Sequence, residues 1–353
     1  MAIMPAVKAA RPTDIFTPDN WARLTAVSKW RGPLMIAHAW IVIFATIGLA
    51  VWIAHPLAWI AAIILVGSRQ LGLAILMHDG AHGLLHPKRK VNNFLAQWAS
   101  GIFVGSDLQS YRAYHLIHHR YTQQAEDPDL RLSKPFPTSK ASMARKILRD
   151  LTGLTFLKQR GANIVAMLSA ARLIIMSGGK VLSGYDSKAG RPEAGLTGET
   201  VDPAKQNVAQ TLFIGKVTAQ FILAQLLLLA LSYLTGFGVL PFLIWFIALA
   251  TTFQLFLRIR NIAEHACTTT GSEDPFTHAR TTYANWLERA TVAPYWVNYH
   301  SEHHLFMGIP CYNLPKANAL LIANGMDQRM TIAPGYWSVL KQVTAEQPAV
   351  QTA

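Results

Sequence analysis

Four long apolar runs dominate the chain: Leu34 to Ala54, Leu57 to Met77, Leu212 to Leu234 and Val239 to Leu257. Each is long enough to cross about 30 Å of hydrocarbon at about 1.5 Å per helical residue. The connectors inside each pair, His55-Pro56 and Thr235-Gly236-Phe237-Gly238, carry no Lys or Arg, whereas Lys29 and Arg31 precede the first run and Arg258 and Arg260 follow the last. Positive charge marks the cytoplasmic side. The pattern therefore predicts an all-α integral membrane protein, with four transmembrane helices in two hairpins under a cytosolic helical cap. Its parts are a cytosolic N-terminal segment (1–33), a first hairpin (34–77), a cytosolic loop (78–210), a second hairpin (211–258) and a cytosolic C-terminal region (259–353). The loop carries 18 Lys and Arg residues, too many to be exported easily. Within it, Asn93 to Val104 and Ile164 to Met176 are too short to span and are expected in the interface, while Gly178 to Lys205, rich in Gly, Ser and charge, reads as an irregular surface loop.

Composition agrees: 51% of residues are hydrophobic and 14% charged, against about 25% charged in soluble proteins. The net charge of +13 gathers between and outside the apolar runs, which makes it a topology signal rather than a nucleic-acid-binding surface. No signal-peptide core opens the chain, so the N-terminus is expected to stay inside. Cys267 and Cys311 form neither a disulfide framework nor a thiolate zinc site. Lys216 is close enough to a helix end to snorkel. Arg69, nine residues before His78, is either paired inside the bundle or carried clear of lipid by a helix projecting into the cytosol.

The histidines change the picture. Eight of the thirteen fall in three groups: His78 and His82 in H-D-G-A-H, His115, His118 and His119 in H-L-I-H-H, and His300, His303 and His304 in H-S-E-H-H. Residues three and four apart share a helix face, so each group can aim its rings at one point. The first group begins where the second run ends, and the other two lie in segments assigned to the same side. Asn261 and His265, spaced i, i+4 after the fourth run, should approach the same place. Nine imidazoles exceed what one ion can use. Two six-coordinate ions offer about twelve positions and leave some open. Imidazole accepts Zn, Cu, Ni or Fe; but tetrahedral zinc needs only four ligands and H-E-x-x-H is absent, so iron with dioxygen fits better.

In their order after paired spans, H-D-x-x-H, H-x-x-H-H and H-x-x-H-H resemble the three histidine boxes of membrane fatty acid desaturases. The resemblance covers about His78 to Pro315, including the stretch Glu126 to Leu130 after the second box. It implies a di-iron, O2-dependent oxidoreductase of lipid metabolism that takes two hydrogens from an acyl-lipid or acyl-thioester chain at the cytoplasmic face. It also implies direct ligation by His265 and an indirect, water-mediated contact by Asn261. His300 stands where front-end desaturases usually have glutamine, which counts against that subclass. No His-Pro-Gly-Gly haem motif is present, so electrons are expected from an external donor, a ferredoxin or a b-type cytochrome.

Asp79, Asp127, Glu264 and Glu302 are candidates to accept hydrogen bonds from the outer ring nitrogens, and His86 is a candidate for a supporting contact. His38, His55 and His278 read as structural or exposed. An apolar tunnel is expected beside the metals, with Trp98, Tyr114, Trp296 and Tyr299 as candidates to line it. A hydroxylase or carotenoid ketolase would use similar boxes; the L-F-x-x-I-P run at Leu305 to Pro310 favours desaturation. A metal transporter would instead place its ligands along a path near the midplane.

Overall fold

Between the first two apolar runs the chain reverses in two residues. Ala54 ends one helix in the left-handed region (φ 53°), and the ring nitrogen of His55 accepts the Leu57 N–H at 3.2 Å to start the next, with Pro56 in the first turn. The computed structural model describes residues 6–183 and 203–345. It is mostly helical, and four helices are long and apolar enough to cross a membrane: Arg31–Ile53, Pro56–Ala81, Lys205–Leu234 and Leu240–His265. They are called the first to fourth spans below. One short parallel sheet, Arg280–Thr282 against Thr331–Ala333, departs from the all-α expectation. Three-residue strands are too short to leave a period in the sequence. Of the surface loop expected over Gly178 to Lys205, residues 184–202 lie outside the described residues.

The second span is the axis of the molecule. Every residue from Val66 to Ala81 except Ala74 is buried, because the first span, both halves of the fourth and the C-terminal region pack around it. Gln70 donates to the Trp245 carbonyl at 2.9 Å, and the Trp245 indole donates to Gln225 at 2.9 Å. Such links join apolar helices that share no hydrophobic driving force in lipid. The outward faces stay apolar, with Leu34, Ile41, Phe44, Leu49 and Trp52 exposed on the first span.

The fourth span is not the straight helix its apolar run predicts. It breaks at Thr251 (φ −121°, ψ −84°) into Leu240–Ala250 and Thr252–His265. At this level Thr252 Oγ1 donates to the Ile63 carbonyl at 2.7 Å. Gly67 permits that approach, since a Cβ there would sit 2.1 Å from the Thr252 hydroxyl.

Helix Leu154–Met176 packs along the third span and absorbs the segment read as a short interfacial stretch, Ile164 to Met176. Asn93 to Val104 divides between helix Arg89–Trp98 and a 3-10 turn at Gly101–Val104. Arg69, expected either paired inside the bundle or carried clear of lipid, meets its own helix and the C-terminal region. Its Nη2 donates to Ser68 Oγ at 2.9 Å and the Ala290 carbonyl at 3.1 Å, and its guanidinium stands 5.9 Å from the Tyr295 ring. Lys216 is exposed.

Candidate metal centre

The second span continues four residues past Met77, and so carries His78 at its end and His82 at its cap. The carbonyls freed there are satisfied from neighbouring elements. Arg112 Nε donates to Ala81 O at 2.7 Å and its Nη2 to Gly80 O at 3.0 Å, while Asn92 donates to Gly80 O at 2.8 Å. Arg112 belongs to helix Leu108–Tyr121, which Asp107 caps by accepting the Ser110 N–H at 2.9 Å. That helix carries His115, His118 and His119. His265 ends the fourth span, and His300, His303 and His304 lie on the six-residue helix His300–Leu305.

These elements bring the nine rings into two groups, His78, His82, His115, His119 and His303 in one and His118, His265, His300 and His304 in the other. Within each, the ligand atoms lie within 4.8 Å of one another. His119 Nε2 is 2.9 Å from His115 Nε2 and 3.0 Å from His303 Nε2, and His300 Nε2 is 2.9 Å from His265 Nε2 and 3.1 Å from His304 Nε2. A neutral imidazole has one N–H and one lone pair, so one proton serves at most one such contact well. The buried Nε2 atoms of His78 and His82 have no hydrogen-bond partner at all. Nitrogens converging without protons to share are what a cation would satisfy, and both groups fit one. Burial first, then the proximity of the other rings, pushes His115, His119 and His304 well below the ordinary imidazole range. Burial and then Arg112 lower His82 to about 4. The neutral ring is the ligating form.

The outer nitrogens of the four-histidine group are all engaged. His118 Nδ1 lies 2.8 Å from Asp127, His265 Nδ1 3.0 Å from the His278 carbonyl, His300 Nδ1 3.3 Å from Glu264 and His304 Nδ1 3.2 Å from Thr122 Oγ1. For His118, burial alone would lower the pKa, but the Asp127 carboxylate raises it instead. Glu264 is itself held by Arg260 one turn earlier.

The other two carboxylates hold neighbouring segments rather than a ring. Asp79 is 3.9 Å from His78 Nδ1 and accepts the Cys311 N–H at 3.0 Å. Glu302 accepts from Thr281 Oγ1 and from Asn318 Nδ2, the latter at 2.6 Å. His86 lies outside both groups, and its Nδ1 accepts the Lys88 N–H at 3.0 Å. Asn261 lines a cavity of about 30 Å3 with His115, His118, His265 and His300. Its Oδ1 accepts from Arg260 at 3.1 Å.

Of the aromatic candidates, Tyr299 is buried just before the third box, Trp296 is half-buried, Trp98 is 49% exposed and Tyr114 donates to Asp129. Tyr111, which the sequence did not single out, stacks on His115 at 5.1 Å. Its place one turn before His115 was the available signal. The contacts of Thr122, the His278 carbonyl and Arg260 had none.

A helical membrane protein that gathers nine histidines into two cation-sized groups at one end of its spans belongs to the histidine-rich membrane oxidoreductases. Residues 50–334 match the family model for fatty acid desaturases, and the chain belongs to the fatty acid desaturase family. It is 27% identical over 295 residues to the dihydrorhizobitoxine desaturase of Bradyrhizobium elkanii, covering 82% of this chain and 74% of that protein. Over 98 residues it is 36% identical to a β-carotene ketolase of Paracoccus sp. (strain PC1), a match spanning 27% of this chain and 40% of that one. The chain is an oxidoreductase, so the metal-transporter alternative falls away.

Proposed function

We propose that the protein is a membrane di-iron desaturase that introduces a C=C bond into an acyl-lipid or acyl-thioester chain. The observation that carries this reading is the partition of nine imidazoles, seven buried and two half-buried, into groups of five and four. Two iron ions there, with dioxygen and two electrons, would supply the C–H cleavage that side chains alone do not. The chain's own residues hold and orient. Five histidines would carry one ion and four the other; Asp127, Glu264, Thr122 and the His278 carbonyl set the rings of the second group, and Asn261 would hold a water beside it.

Charge supports a cytoplasmic site beneath two hairpins, with both termini on that side. Tags at either terminus should report the cytoplasm, and termini on opposite sides of the membrane would separate the boxes and end this reading. Purified protein should carry close to two irons, and lipid profiles of a host with and without the gene should differ by a product two mass units lighter than its substrate. Wild type and His303→Ala giving the same profile would overturn the proposal.

The ketolase match supports a second reading, insertion of oxygen into a ring carbon, which would yield a heavier product from the same host. The fuller-length similarity to a desaturase favours the first. Electrons would come from an external acidic donor, a ferredoxin or b-type cytochrome, drawn to the basic surface. Raising salt should slow turnover with that donor more than turnover with a small chemical reductant.

A further inference from the structure

Away from the histidines, helix Lys140–Leu151 and helix Tyr336–Val343 both pack on the second half of the fourth span. The Thr138 N–H donates to the Val343 carbonyl at 2.8 Å and ties one to the other. Between them runs a groove of about 1450 Å3, larger than the about 300–1,000 Å3 of sites for drug-sized ligands. Its floor includes Met143, Ala144, Ile147 and Leu340, and Lys140 and Lys341 stand among its lining residues. No Asp or Glu lines it among the described residues. The nearby acid on the wall helix, Asp150, is fully buried and engaged by Arg258.

The surroundings indicate what such a groove meets. Trp337 on one wall is 67% exposed, with the Lys341 ammonium 5.7 Å from its ring. Leu148 and Leu151 are exposed on the other wall helix, which leads at once to exposed Leu154 and Leu157. Arg258, near the end of the fourth span, anchors that helix through Asp150. An exposed Trp and Leu surface beside basic residues where a span ends is the chemistry of the bilayer interface. A soluble acidic protein would complement the lysines but leave the apolar floor unmatched.

We propose that this groove binds one anionic phospholipid of the surrounding bilayer, with acyl chain on Ile147, Leu340 and Trp337 and headgroup met by Lys140 and Lys341. The proposal rests on the chain being a membrane protein and not on the reaction proposed above. The test uses full-length protein in neutral detergent, titrated with phosphatidylglycerol or phosphatidylcholine and read by native mass spectrometry as lipid retained per chain.

Phosphatidylglycerol should be retained in preference to phosphatidylcholine. The double change Lys140→Ala with Lys341→Ala should reduce that retention by about thirtyfold, as expected for two lysines at an anionic headgroup. Lys140→Arg with Lys341→Arg should restore it. Ala144→Trp fills the groove without altering charge and should reduce retention of both lipids. Equal retention of the two lipids by wild type would overturn the proposal, as would an equal loss from changing Lys88 and Lys90 instead, which would mean unspecific surface charge. Displacement of the lipid by inorganic phosphate would reduce the site to a phosphate site. A dimer mass abolished by Ala144→Trp would give the groove to a second copy of the chain.

Discussion

The two histidine groups are built differently. In the four-histidine group every ring has a partner on its outer nitrogen: Asp127, the His278 carbonyl, Glu264 or Thr122. In the five-histidine group the outer nitrogen of His119 is buried without a partner and that of His78 lies 3.9 Å from Asp79, beyond hydrogen-bonding reach. The rings of this group pack on one another and on Tyr111, with His78, His82, His115 and His303 at centroid distances of 4.4 to 6.0 Å, much as those of the four-histidine group do at 4.6 to 5.0 Å. A crowded group can position its ligands by packing. The group with one ring fewer, beside a cavity of about 30 Å3, holds His118, His265 and His304 each by a hydrogen bond and His300 against Glu264, and keeps room for a small molecule.

The largest effect that tests this contrast should come from removing one ring from the smaller group. His265→Ala is expected to abolish activity and to leave close to one iron per chain, because three remaining rings and a cavity offer no substitute for the lost bond. A variant that still carries two irons and works normally would mean that the three boxes build the site alone. Next in size is Asp127→Asn, which keeps the shape of the support to His118 but removes its charge. Metal affinity of the four-histidine group should fall by about 10- to 100-fold, measured by competition with a chelator, while the five-histidine group keeps its ion. Loss of both ions together would show that the groups are not independent.

Acid should act on the metal-free protein in a direction set by burial. His82 is lowered to about 4, and His115, His119, His300, His303 and His304 lie well below their ordinary value. The unfolded chain therefore binds more protons than the folded one below about pH 6.5. Stability should fall as pH drops from there towards about 4. His118, raised by Asp127, acts in the opposite sense, as one ring against several. Thermal unfolding of metal-stripped protein at pH 7.5 and pH 5 checks the sign; a higher melting temperature at pH 5 would refute it.

Much of this was legible in the sequence, because the information is local. Long apolar runs marked the spans, and spacings of three and four marked which histidines share a helix face. The partition of those histidines was not legible. His118 and His119 are neighbours about 100° apart on one helix, and so are His303 and His304, yet each pair is split between the two groups. Which ring goes where depends on how helices cross, a tertiary matter. The same holds for the break at Thr251, which coincides with a glycine on another span, and for helix Leu154–Met176. Lys158 and Arg160 interrupt that helix's apolar pattern, but Arg160 is half-buried, with Nη2 donating to the Val104 carbonyl at 2.9 Å and its guanidinium 4.6 Å from the Phe221 ring. Asp79 and Glu302 were expected to accept from ring nitrogens, but the partners they have, the Cys311 N–H and Asn318, lie in later segments that the local spacing does not reveal.

The smallest effect should come from Asn261, and it sharpens the comparison most finely. This residue lies one turn before His265 and lines the cavity shared with His118, His265 and His300, while Arg260 donates to its Oδ1 at 3.1 Å. A cavity of about 30 Å3, which His115 and Tyr111 also line, has room for about one water, and under the proposed function the amide would hold it. Asn261→Ala removes one hydrogen bond and no ligand. An uncharged hydrogen bond contributes about 0.5–1.5 kcal/mol, so turnover should fall by only about two- to tenfold while both irons stay bound. The corresponding change beside the five-histidine group, Tyr111→Phe, keeps the ring that stacks on His115 and should leave metal content and rate close to wild type. Should Asn261→Ala instead strip the second iron, the amide would be a direct ligand and the four-histidine group would in truth be a five-ligand site like its neighbour.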